Sequence, residues 1–405
     1  MHWITMTITL FIAVFAFLLL QRAGLLHGKL NLAVCTLLLI GALLARLYVL
    51  DHETLDYQWF LGPWVQHFRD HGGFPGFAVP VGNYHVAYLY FLALFSYLPV
   101  SDLHLIKLLS IFFDVVLAYF VMQTVGIYTP SRKRKRTAFF TVLFLPTVFL
   151  NGAYWGQCES IFTAFAVMSF YCAMTNRPIR AMITLALSFA FKLQVVFLFP
   201  IFLVFLYTRQ IRFRHLPAFP ITYLLVILPA VFFGRPFWDT LLFYISQANP
   251  AGRGLNYNSP SIFALHQGPH YNPELARIGI LIAFIFVALV YLIIRIRHGR
   301  SVSFGTSLTL ALIFVIGVPF FLPQMHDRYF FLADIFAVIL GLSRLRFLPV
   351  IALTQFASLL GYYTYLLNRH PPVPIYYGTY ALMLVLTALL LTLFLQAKSK
   401  KQHPR

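Results

Sequence analysis

Charged residues are scarce in this chain of 405 residues: they make up 10%, while 60% of the residues are hydrophobic and the mean hydropathy is +0.80. Soluble domains carry roughly a quarter charged residues, so a water-soluble fold is excluded. Cysteine is also scarce. Cys35, Cys158 and Cys172 lie in or beside apolar runs without CxxC spacing, which argues against a disulfide framework or a zinc site and for packing roles. Carboxylates number eleven against thirty Lys and Arg. There is no internal repeat, low-complexity tract or inverted symmetry, which weakens a transporter reading, because many transporters are built from inverted repeats.

What the chain has in abundance is apolar runs of about twenty residues, the length that spans ~30 Å of hydrocarbon. They recur from end to end and leave no room for a separate soluble domain. The expectation is a single all-α, polytopic membrane domain over residues 1–405. The first run, His2 to Leu20, has no basic segment before it and no small-residue cleavage site, as expected of a retained helix rather than a signal peptide.

The formal charge of +19 could suggest nucleic acid, but its distribution argues otherwise. Basic residues cluster in the short segments Arg22–Lys29, Arg132–Arg136, Arg177–Arg180, Arg209–Arg214, Arg295–Arg300, Arg344–Arg346 and Lys398–Arg405, which hold 21 of the 30 Lys and Arg and none of the Asp and Glu. The positive-inside bias assigns all of them to the cytoplasm, with the N-terminus outside and the C-terminus inside a cell membrane. About thirteen crossings result, with a first outer loop over residues 50–103 and a second over 234–278. Parity allows only one crossing between Tyr84 and Gly126, so Tyr84–Val100 is expected to be a re-entrant or interfacial segment on the outer face. Parity also demands two crossings between Ala181 and Tyr207, which places a break between short helices near Lys192-Leu193-Gln194. A lysine at such a break is costly and hence functional by default, or else a snorkelling residue on one long tilted helix.

Three polar groups then fall on the outer side. Asp51-His52-Glu53-Thr54-Leu55-Asp56-Tyr57 puts three carboxylates directly after a helix. They could serve as a general base toward a hydroxyl, or simply form a solvated helix end. Gln58 to His71, with Trp59, Phe60, Trp64 and Phe68, reads as an amphipathic helix on the membrane surface. Asn151 to Ser160 contains Tyr154, Trp155, Gln157 and Glu159, either a sugar-stacking surface or an aromatic belt. Pro323 to Tyr329 places His326, Asp327 and Arg328 side by side, either a phosphate site or a polar turn closed by an Asp-Arg pair. Arg253, Asn256, Tyr257, Asn258, His266 and His270 of the second loop are further candidate contacts. Asp114, inside an apolar run, needs a partner, and Lys107 on the same helix is the candidate.

These segments resemble the GT-C superfamily of polytopic glycosyltransferases that use polyprenyl-phosphate-linked sugars, in particular bacterial proteins related to the mannosyltransferases of GPI-anchor synthesis, with the glucosyltransferases of N-glycan assembly more distant. The resemblance is carried by Asp56-Tyr57 with Phe60 to Trp64 and Gly72-Gly73-Phe74; Gly82-Asn83-Tyr84 through Pro99; Ile106-Lys107 through Asp114; Tyr154 to Gln157; Phe191 to Gln194; and Met325 to Tyr329. It implies a GT-C fold and an inverting transfer of one hexose from a polyprenyl-phosphate donor to an envelope glycan or glycolipid acceptor. Asp56 would be the base, with Asp51 as second choice. Lys192, His326 and Arg328 would contact the donor phosphate; Trp155, Gln157 and Glu159 would lie near the sugar; Tyr57, Tyr84, His85, Gln194, Asp327 and Tyr329 complete the expected substrate contacts. Asp51, Glu53 and Asp56 could hold a divalent ion, but relatives with a monophosphate donor usually act without one, and no metal or other cofactor is expected. The expected partners are the lipid-linked donor, the acceptor and membrane lipids, with no nucleic acid. The chain departs from the pattern at His85-Val86, where relatives often have prolines, and at Glu159, where they often have Asp. Its first helix also precedes the family's usual start. A lipid-linked saccharide flippase, or a polymerase or ligase using diphosphate-linked oligosaccharides, are the competing classes.

Overall fold

A computed structural model describes residues 3–247, 254–266, 271–367 and 371–395. Arg253, His270 and the basic tail Lys398–Arg405 lie outside the described residues. The described chain is largely helical, and its strands are limited to one two-residue parallel pairing of Asn256–Tyr257 with Met325–His326.

Eight helices are long and apolar enough to cross a membrane, as in a multi-pass membrane protein. They are Trp3–Arg22, Lys29–Tyr48, Asp102–Tyr128, Phe213–Phe232, Pro273–His298, Phe304–Phe321, Leu345–Leu366 and Tyr376–Leu395. A ninth is possible if Arg132–Phe144 and Pro146–Trp155 count as one span, bent by 46°. The bend sits at Leu145-Pro146, where proline removes a backbone donor and clashes with the preceding turn. The remaining apolar helices, among them Val86–Phe95, Glu159–Met174, Pro178–Phe191 and Phe331–Ser343, are shorter.

Burial separates these helices into an inner and an outer set. Asp102–Tyr128 and Phe304–Phe321 are 72% and 83% buried within the protein, whereas Trp3–Arg22, Lys29–Tyr48 and Phe213–Phe232 are each 22% buried. The outer set exposes Leu10, Phe11, Leu37, Leu225 and Phe232. An exposed apolar surface of this extent belongs against lipid, not water.

Val86–Phe95 has ten residues, most of them buried, and at ~1.5 Å per residue it is only about half the membrane thickness. Asp102–Tyr128 is the long helix of that region, as the charge parity requires. Pro178–Phe191 ends at Lys192, whose backbone turns to an extended conformation (φ −152°, ψ 138°) before a 3₁₀ turn over Leu193–Leu198 leads into Phe199–Tyr207. The expected break is therefore at Lys192 itself.

The pairing expected for Asp114 is corrected. Its carboxylate accepts from Arg46 Nε at 3.0 Å and lies 2.9 Å from Arg46 Nη2, with Ser160 Oγ donating at 2.5 Å. Lys107 turns away and donates to the carbonyls of Val49 at 2.8 Å and His52 at 2.6 Å. The physical reason is reach: the carbonyls that follow Lys29–Tyr48 satisfy the buried Lys107 ammonium, while Arg46 of that helix supplies the countercharge that a fully buried carboxylate needs.

Candidate active site

Two π-helical turns bring the first polar groups together. One, Tyr57–Leu61, starts directly after Asp56; the other, Leu150–Trp155, ends at Trp155. Such turns re-aim side chains that a regular helix would spread around its axis. The second is closed by Gly156 in the left-handed region (φ 81°), where a side chain would be strained. The chain doubles back there, Gln157 N donating to Asn151 O at 2.9 Å. Ser110 Oγ and Thr54 Oγ1 donate to the carbonyls of Gln157 and Trp155 at 2.6 and 3.0 Å, tying this turn to the long inner helix and to the first loop.

Asp56 is half-buried. Its Oδ2 accepts from Trp155 Nε1 at 2.9 Å and from Gln157 Nε2, and its Oδ1 accepts from Tyr365 Oη. Three donors on different elements fix one carboxylate. From there a closed circuit runs through the site. Tyr84 Oη donates to Gln157 Oε1 at 2.8 Å, Lys192 Nζ lies 5.0 Å above the Tyr84 ring, and Lys192 pairs with Glu159. Arg328 Nε lies 3.2 Å from the same Glu159 oxygen, Oε1, and the guanidinium sits 5.1 Å over the Trp155 ring, which returns to Asp56. Glu159 thus holds two cations deep in the protein; it is 2% exposed.

A cavity of about 430 Å³ opens beside this circuit, within the range of small-molecule sites. Asp56, Phe60, Trp64, Asn83, Tyr84, Gln157, Asn256, Tyr257, Asn258, His326, Asp327, Arg328 and Tyr365 are among its lining residues. The second loop reaches it through the short strand pairing, in which Tyr257 stands opposite His326 and stacks on it at 4.7 Å. The loop holding His326 to Arg328 lies against Gly361, where an added Cβ would stand 2.5 Å from Asn258 O and 3.2 Å from Asp327 Cα. Glycine is required there for close approach.

Electrostatics in this loop oppose simple expectation. Burial, aided by Arg328 and Lys192, pushes His326 down to about 4, so it is neutral at physiological pH. Burial outweighs Arg328 at Asp327 and pushes its carboxyl up to about 7.

The cavity thus gathers Asp56, Tyr84, Gln157, Asn256, Tyr257, Asn258, His326, Asp327 and Arg328 of the sequence candidates. Trp155, Glu159 and Lys192 form the layer behind it. The other described candidates lie apart from its lining. Asp51 is 92% exposed and bonds His104 Nε2 at 2.6 Å. Glu53 accepts from Gln58 at 3.1 Å, so the three carboxylates of the first loop do not converge. Tyr57 packs on Gly62, and Tyr329 packs near His326 and Phe197. Gln194 has a buried Oε1 without a hydrogen-bond partner. His85, 1% exposed, stacks on Tyr244 and bonds Tyr223 Oη at 3.0 Å.

Tyr365 and Tyr362 were not among the sequence candidates. Tyr365 stacks on Trp155 at 4.5 Å, and Tyr362 meets it edge-on at 5.5 Å while receiving Asn151 Nδ2 at 3.2 Å. The available signal was the run Gly361-Tyr362-Tyr363-Thr364-Tyr365 ending an apolar stretch. No protein-family model matches this chain, and no curated protein matches it.

Proposed function

We propose that this chain is an inverting, polyprenyl-phosphate-sugar-dependent glycosyltransferase of the GT-C type, moving one hexose to an envelope glycan or glycolipid acceptor on the non-cytoplasmic face of the plasma membrane. The observation that carries the reading is Asp56: a carboxylate oriented by three donors and sharing one cavity with the Arg328 guanidinium. In the proposed step Asp56 takes the proton of the acceptor hydroxyl as its oxygen attacks the anomeric carbon. The bond from that carbon to the phosphate oxygen breaks on the opposite side, and the electron pair leaves with the polyprenyl phosphate. Arg328 faces the charge that develops there, as preorganised electrostatic stabilisation requires. Neutral His326 supplies a hydrogen bond rather than a charge. Lys192, buried behind Tyr84, acts through Glu159 on the placement of Arg328 and is a positioning residue.

The crossings are counted as thirteen in this reading. The bent pair is one span, and Glu159–Met174, Pro178–Phe191, Leu193–Tyr207 and Phe331–Ser343 each cross while shielded by protein. The arginine-rich loops then face the cytoplasm and the cavity faces outward.

Purified protein in lipid nanodiscs, given synthetic short-chain prenyl-phosphate hexoses and envelope glycolipid acceptors, should form a new glycosidic bond. Asp56→Asn should lower transfer by about 10²–10⁴-fold with unchanged elution and melting. Full activity in that variant removes Asp56 from the role. Movement of lipid-linked saccharide across a bilayer without any new bond would replace the enzyme with a flippase.

A further inference from the structure

A second cavity, of about 190 Å³, lies between the turn that joins the first two helices and the start of Arg132–Phe144. His27, Asn31, Arg132, Lys133 and Arg136 line it. Asn31 is held by donating to His27 O at 2.7 Å, and its Oδ1 receives Arg136 Nη1, so one cation is fixed in the wall. Arg132 and Lys133 remain exposed at the mouth.

These cations have no carboxylate to answer them. Residues 1–50 and 115–158 contain no Asp or Glu, and among the described residues every ion pair involves other groups. A concave site with three cations and no protein counter-charge calls for an anion from outside. The volume is several times the ~30 Å³ share of one liquid water but below the ~300 Å³ of ordinary small-molecule pockets, a size suited to a phosphate group. Leu30, Leu37, Ile40 and Leu44 of the same helix, Lys29–Tyr48, are exposed apolar residues.

We propose that this cavity binds a phosphate-bearing anion, supplied either by the headgroup of an anionic lipid or by a soluble phosphate. The site is independent of the transferase reading and would stand if that reading failed.

The test uses the full chain in detergent and native mass spectrometry, with phosphatidylglycerol, phosphatidylcholine and inorganic phosphate as probes. Phosphatidylglycerol should remain bound where phosphatidylcholine does not. The Arg132→Gln/Lys133→Gln/Arg136→Gln variant should bind it roughly a hundredfold more weakly, since each basic residue near an anionic surface contributes a similar increment. The Arg132→Gln/Lys133→Gln pair, which leaves the Arg136 to Asn31 bond intact, should weaken it roughly twentyfold if the triple variant does not fold. Displacement of the lipid by millimolar inorganic phosphate, with phosphate retained by the chain alone, identifies the source as soluble and supports the site. Resistance to that competition identifies the headgroup. Binding unchanged in the variants overturns the proposal, as does an equal loss in an Arg209→Gln/Arg212→Gln/Arg214→Gln control, which would reduce the effect to bulk surface charge.

Discussion

The two polar cavities occupy opposite ends of the same helices and follow opposite electrostatic rules. Lys29–Tyr48 begins beside Asn31 in the basic cavity and ends near Arg46 and Val49, which hold Asp114 and Lys107 beneath the larger one. Twenty residues at ~1.5 Å each make ~30 Å, the thickness of the hydrocarbon core. At one end Lys192 and Arg328 share Glu159, and Arg328 also approaches Asp327 at 3.5 Å. At the other end three cations stand without a carboxylate. Depth accounts for the contrast: a buried charge must be neutralised by a partner, whereas an exposed one is solvated by water and stays open to an external anion.

The largest way to break this contrast is Glu159→Gln, which would leave the buried Lys192 without its carboxylate and Arg328 with Asp327 alone. A loss of about 3–5 kcal/mol is expected, read as a sharp fall in melting temperature or in folded yield; a melting curve like wild type would mean that Lys192 and Arg328 are not held by Glu159. Gly361→Ala should cost about 1–3 kcal/mol, because the new Cβ meets Asn258 O and Asp327 Cα, and it should impair transfer more than it impairs folding. Transfer equal to wild type would show that the loop need not lie so close.

Protonation provides a subtler test. The Asp327 carboxyl is raised, so it is neutral below about 7 and ionised above it; its negative charge then competes with a phosphate for Arg328. The KM for the donor should rise as pH passes upward through that value, and Asp327→Asn should flatten the profile. A wild-type KM that is already flat across this range would remove Asp327 from donor binding. The smallest effect belongs to Asp51→Asn: an exposed group outside the cavity should change transfer by no more than about twofold. A large loss would restore Asp51 as a rival to Asp56.

Two local expectations drawn from the loop charges reappear in the structure. Tyr84–Val100 contains only a short helix, and the chain breaks at Lys192, because crossing parity and helix length are one-dimensional properties. The π-helical turns beside Asp56 and Trp155 were not legible, since a one-residue insertion in a helical turn leaves no mark on a 3.6-residue period. The partner of Asp114 was misread for a related reason: Lys107 is near in sequence, whereas Arg46 becomes near only through helix packing.

Composition and the placement of basic loops by themselves determined a helical, multi-pass membrane architecture, because apolar length and charge act residue by residue on insertion into a bilayer. Only the tertiary structure decided that Asp51 stands outside the cavity while Asp56 enters it, that Tyr365 joins the site from more than three hundred residues away, and that Lys192 and Arg328 share one carboxylate. Those outcomes depend on which faces meet when the helices pack, and side chains far apart along the chain have no local signal of their meeting.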